Sequence, residues 1–141
     1  MSRIAAAAIT ACLLFIPGSL CAQAARPVPA PTAAQPGPDD RAKQWLTLID
    51  DSNYTDGARQ MGSQAKKAQI DALPRQREPL GAVANRNLKD VKLSTTNPGM
   101  PSGQYAVVRY DSNFAHRANT IETVTLAMNK GAWSVVGYRI D

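Results

Sequence analysis

The chain has 141 residues, 44% of them apolar, and 16 Lys and Arg against 11 Asp and Glu give a formal net charge of +5. That length holds one ordinary domain and excludes a (β/α)₈ barrel or a full dinucleotide-binding domain. The basic residues are scattered among acids, Lys66-Lys67 and Arg75-x-Arg77 being the only close groups, which describes a solvated face and excludes the basic stripe with interleaved aromatics of a nucleic-acid binder.

The first 38 residues contain no Asp or Glu. Arg3 supplies a basic start, Ile4 to Ile16 is an apolar run broken only by Thr10, and Pro17-Gly18 ends any helix there. Ala22-Gln23-Ala24 then presents the small residues of a signal-peptidase site, so residues 1–24 read as a secretory signal cleaved near Ala24. The run is too short to span a bilayer, and no stable membrane insertion is expected after cleavage. Cys12 and Cys21, the only cysteines, both lie in this leader. The mature chain would therefore carry no disulfide, thiolate metal site or cysteine nucleophile, as suits an oxidising periplasmic or extracellular compartment. Residues 25–38 follow as a linker, its five prolines favouring extended polyproline II backbone.

Residues 39–141 form the expected single domain. Pro38-Asp39-Asp40 marks a helix start, with carboxylates at the positive end of the helix dipole. Ala42, Trp45, Leu46 and Ile49 then make one apolar stripe at helical spacing, and Asp51-Ser52-Asn53 ends it. Thr55 to Leu73 allows one or two weaker helices, interrupted by Gly57 and Gly62, with Pro74 and Pro79 closing the helical half. From Val83 the pattern turns to alternation and β-branched residues. One or two strands are predicted over Val83–Thr96, followed by a Pro98–Gly103 loop and strands over Gln104–Asp111, Asn119–Met128 and Ala132–Ile140. Helices first and strands afterwards predict an α+β fold, with two or three N-terminal helices packed on one face of a roughly four-stranded antiparallel meander.

Several segments, taken in order and spacing, resemble a known family. They are Trp45-Leu46-x-Leu-Ile-Asp50 with Tyr54; Arg77-x-Pro79-Leu80-Gly81 with Arg86; Pro98-Gly99-Met100-Pro101-x-Gly103 leading into Tyr105 and Tyr110-Asp111; Glu122-Thr123-Val124; and Trp133-x-Val135-x-Gly137-Tyr138-x-Ile140. This domain resembles a bacterial exported family catalogued as domain of unknown function 4019. The resemblance implies relatives without implying an activity. Relatives carry a tryptophan and a phenylalanine in the middle helical stretch where this chain has Ala58, Met61 and Ile70, so that stretch is expected to pack less apolar area. By analogy of layout alone, helices before a curved meander are similar to a cystatin-like or NTF2-like cone, which often encloses a pocket.

Chemistry-bearing residues are few. The single histidine, His116, lies in the connection after Asp111 with nothing to fix a base–acid geometry, and it reads as an exposed turn residue. One histidine without mature cysteines excludes the usual transition-metal ligand sets, and no cofactor or metal is expected. Glu122 shares a strand face with Val124, Leu126 and Met128 and should point inward. If Lys130-Gly131 is a two-residue turn, Glu122 faces Arg139; a three-residue turn with a bulge puts it opposite Tyr138. The first register pairs apolar with apolar and is preferred, making Glu122 half of a cross-strand ion pair worth about 0.2–1 kcal/mol. Trp45, Tyr110, Glu122, Tyr138 and Arg139 are the pocket candidates, although aromatics at this spacing more often build core.

The sequence therefore favours a non-catalytic exported module that binds a small ligand or an envelope protein. The alternative is a small hydrolase or isomerase using Glu122 or Asp111 as general base, with Tyr110 or Tyr138 as hydrogen-bond donor.

Overall fold

The computed structural model describes residues 35–141, so the leader and most of the proline-rich stretch lie outside the described residues. Helix α1 runs Pro38–Asp50. Its first position is proline, whose missing N–H costs nothing there, and Asp39 and Asp40 complement the dipole in the first turn. Ala42, Trp45, Leu46 and Ile49 are its buried residues, the stripe the spacing predicts.

Two shorter helices follow. Asn53 caps α2 (Tyr54–Arg59) by accepting the Asp56 N–H, and Met61 then makes an isolated parallel bridge to Val135. Helix α3 spans Lys67–Arg77, with Pro74 inside it. This differs from the expectation that Pro74 ends the helix. Proline forfeits one backbone hydrogen bond, but Leu73 and Arg77 on either side are buried and hold the last turn in place. A 3₁₀ turn over Glu78–Leu80 carries Pro79, and Gly81 leaves it at φ +74°, where a side chain would be strained and a Cβ would lie 3.0 Å from the His116 ring.

The sheet has four antiparallel strands in sequence order: β1 (Val83–Ser94), β2 (Tyr105–Phe114), β3 (Thr120–Asn129) and β4 (Ala132–Ile140). Helices before an open antiparallel sheet give the α+β arrangement. β1 is one strand rather than two, with irregularities between Val83 and Asn85 and between Leu88 and Asp90. β2 continues to Phe114, past the expected end at Asp111.

One face of the sheet supplies Ala106, Val108, Tyr110, Val124, Leu126, Val135 and Tyr138 to the main core, where they meet the α1 stripe and Leu73. Burying each large apolar side chain contributes about 1.5–3 kcal/mol. Trp45 is the hub of this core. Its ring meets Tyr138 edge-on at a centroid distance of 5.3 Å, and its indole N–H donates to the Gly57 carbonyl at 2.8 Å, tying α1 to α2. Tyr105, Ala127 and Val136 form a smaller cluster with Met100, and the Tyr105 hydroxyl donates to the Pro101 carbonyl, anchoring the 95–104 loop.

Trp45→Phe keeps most of the apolar volume but strands the buried Gly57 carbonyl. Thermal or denaturant unfolding should show a loss of about 1–3 kcal/mol.

Candidate functional site

Charged side chains converge at one end of the core. Asp50 is the last residue of α1, Arg77 ends α3, Arg86 lies on β1, Ser112 on β2, Glu122 on β3 and Tyr138 on β4. Arg86 is the centre. Its Nε donates to Glu122 Oε2 at 2.6 Å and its Nη2 to Oε1 at 3.1 Å, while Nη1 and Nη2 reach Asp50 at 2.7 and 2.9 Å. Arg77 Nη2 donates to the same Asp50 at 2.6 Å, and the Arg77 guanidinium lies 4.4 Å from the Phe114 ring centroid. Two carboxylates and two guanidinium groups thus alternate and cancel in charge.

Glu122 is fully buried. Besides Arg86, it accepts the Ser112 hydroxyl at 2.6 Å and the Tyr138 hydroxyl at 2.5 Å. Four donors saturate this carboxylate, and a general base needs a lone pair within reach of a substrate proton. Its geometry is that of an anchored anion. Burial by itself would lower the Arg86 pKa, but hydrogen bonds and charge from Asp50 and Glu122 prevail and raise it above the usual guanidinium range. Burial, with the adjacent Glu122 charge, also pushes the Tyr138 hydroxyl well above the ordinary tyrosine value.

The expected Glu122–Arg139 pair does not form. The Lys130-Gly131 turn does pair Met128 with Trp133 and Leu126 with Val135, but the register then slips. Val124 lies opposite Tyr138, and Glu122 opposite Ile140. An irregularity at Val136 supplies the extra residue, beside Gly137, where a Cβ would lie 3.4 Å from Gln69 Oε1 and 3.5 Å from Thr125 Cβ. The slip turns Tyr138 into the core and leaves Arg139 outward, bonded to Asp141. Glu122 is consequently held by Arg86, two strands away across β2.

The other candidates are placed as follows. Trp45, Tyr110, Glu122 and Tyr138 come together inside the core. The Tyr110 hydroxyl donates to the Asp39 carbonyl, and burial, then the nearby Asp39 charge, pushes its pKa up to about 12. Asp111 is exposed and paired with Lys89 at 2.9 Å. His116 is an exposed turn residue. Tyr138 and Arg139 border a polar recess of about 190 Å³ that also takes in Lys66, Gln69, Thr123 and Thr125. Among the described residues, no group of three or more His, Cys, Asp and Glu is placed to hold a metal ion.

Asp50, Arg77 and Arg86 were not among the candidates. Two of them carried a signal: Asp50 follows the last apolar residue of the α1 stripe, and Arg86 shares a strand parity with Leu88. Pairing them required knowing that the ends of α1 and α3 meet the start of β1.

Open surface lies elsewhere. Trp133 borders a cleft of about 530 Å³ with Leu93, Ser94, Thr95, Gln104 and Tyr105. It also borders a depression of about 490 Å³ with Pro36, Arg41, Gln44 and Ser134.

This architecture, an α1-covered meander locked by a buried ion cluster, defines a small α+β domain. The family model described as "Protein of unknown function (DUF4019)" matches residues 41–138, and the chain belongs to that family. No curated protein matches it.

Removing one member of a buried pair leaves an uncompensated charge. Glu122→Gln should lower stability by about 3–5 kcal/mol in denaturant titrations. Arg139→Ala should change it by less than about 0.5 kcal/mol, since its ion pair with Asp141 is exposed. Alkaline stability offers a separate check. The unfolded tyrosine ionises near 10.0 and folded Tyr110 only at about 12, so the unfolded state loses its proton first. The Tyr110 contribution is complete below pH 10 and is lost as pH climbs through that window, and Tyr138, also raised, acts in the same sense. Unfolding midpoints should fall above pH 10, and Tyr110→Phe should flatten the fall.

Proposed function

We propose that this protein is an exported, non-catalytic binding module whose ligand or envelope partner meets the cleft beside Trp133. In this reading the leader is cleaved near Ala24, removing both cysteines, and residues 25–38 act as a spacer ahead of the domain. The carrying observation is a contrast in how the side chains are used. Glu122, the acid best placed for chemistry, is saturated by Arg86, Ser112 and Tyr138. Meanwhile Leu93, Tyr105 and Trp133 border open surface with Ser94, Thr95 and Gln104 beside them. Apolar walls with a few polar groups at the rim suit a small, largely apolar ligand or an apolar side chain of a protein partner.

Cell fractionation tests export: the shortened chain should appear in the periplasm or medium. Binding is tested with an anilinonaphthalene sulfonate probe, followed by fluorescence. Trp133→Ala should weaken its binding about tenfold, the scale of losing one aromatic anchor, in a chain that still folds by circular dichroism although its unfolding midpoint falls, since Trp133 also packs against the core. Turnover of a substrate by the purified protein, falling in Glu122→Gln by more than the loss of folded protein accounts for, would overturn the reading.

A further inference from the structure

The core face of the sheet does not end where the helices do. Leu88, Val91 and Leu93 of β1 are 45%, 37% and 71% exposed, yet they pair in register with Tyr110, Val108 and Ala106, all buried. They extend the apolar face onto an edge strand. Among the described residues no strand pairs with the free edge of β1. An open edge beside a row of exposed apolar side chains is a template for another strand.

The charges on the opposite face of β1 say which strand fits. The irregularity after Leu88 turns Lys89 and Asp90 to that face together, where Lys89 meets Asp111 and Asp90 meets Arg109. Lys92 lies on the same face and has no ion pair among the described residues; the half-buried Asp90 carboxyl is held below its ordinary pKa first by its hydrogen bond from Arg109, with the Lys92 charge acting in the same sense. In an antiparallel pairing of two identical strands about a two-fold axis normal to the sheet, opposed residues share a face. Centring on Asp90 opposes two carboxylates, and centring on Lys92 opposes two ammonium groups. Centring on Val91 opposes Val91 to itself and sets Asp90 against Lys92 of the second copy, twice by symmetry.

We propose that β1 pairs antiparallel with β1 of a second copy about Val91, joining two four-stranded sheets into one of eight. The two apolar rows then run side by side on one face, and the two Asp90–Lys92 pairs flank the centre on the other. The irregularity at Lys89 confines regular pairing to the stretch after it, so the dimer is short-laddered and dissociates on dilution.

Sedimentation velocity on the purified protein over a wide concentration range is the test. The expected result is a reversible monomer–dimer equilibrium. Lys92→Glu and Asp90→Lys should each give monomers with native circular dichroism. Mixing those two variants should restore the dimer, because each then offers the charge the other lacks. Val91→Lys, placed at the axis, should also give a monomer, while Trp133→Ala should leave the dimer intact, which separates this proposal from the ligand cleft. A wild-type protein that stays monomeric at every concentration overturns the proposal. So does a dimer that survives Val91→Lys and both charge reversals, or a mixture of the two variants that fails to associate.

Discussion

Arg86 is the joint on which the structure turns. One guanidinium, reaching from an edge strand, bonds the acid at the end of α1 and the acid buried in β3. Four charges withdrawn from water would cost several kcal/mol each, and only near-complete hydrogen bonding offsets that. The cluster comes close to it: Glu122 has four donors, Asp50 receives both guanidinium groups, and Ser112 and Tyr138 use the remaining oxygen capacity. The Arg77 Nε is the exception, buried without a partner, while the same guanidinium lies over Phe114. Because the members come from six separate elements, the cluster specifies how α1, α3 and all four strands meet.

The same arrangement accounts for what the protein leaves available. Its best-placed acid is committed to the fold, and its other candidate, Asp111, is a solvated partner of Lys89. Two uncommitted stretches of surface are rich in apolar side chains: the Trp133 cleft and the outer half of β1. Recognition through shape and apolar contact is the activity we propose for such a surface.

Much of the architecture was legible in the residues. The α1 stripe is simple periodicity, and all four of its apolar positions are buried. Strand order followed from alternation and turn residues, because an antiparallel meander pairs neighbours in sequence. Pro74 misled because it forfeits one backbone hydrogen bond while Leu73 beside it packs in the core and Arg77 is held by Asp50. The last hairpin misled for a related reason. The turn residues set the register near Met128–Trp133, but a single extra residue at Val136 reversed which of Tyr138 and Arg139 faces the core. Gly137 was a hint of that irregularity without its exact position.

The amino-acid sequence by itself determined the elements, their order, the inward face of Glu122 and the family, since each depends on local periodicity or on residues close together along the chain. Tertiary structure alone decided what Glu122 holds. Its partner lies 36 positions away and is brought over by the curvature and twist of the sheet, which no local pattern encodes. It also decided that β1 keeps an uncovered apolar row, because how far the helical layer reaches over a sheet depends on the packing of whole elements rather than on any residue within them.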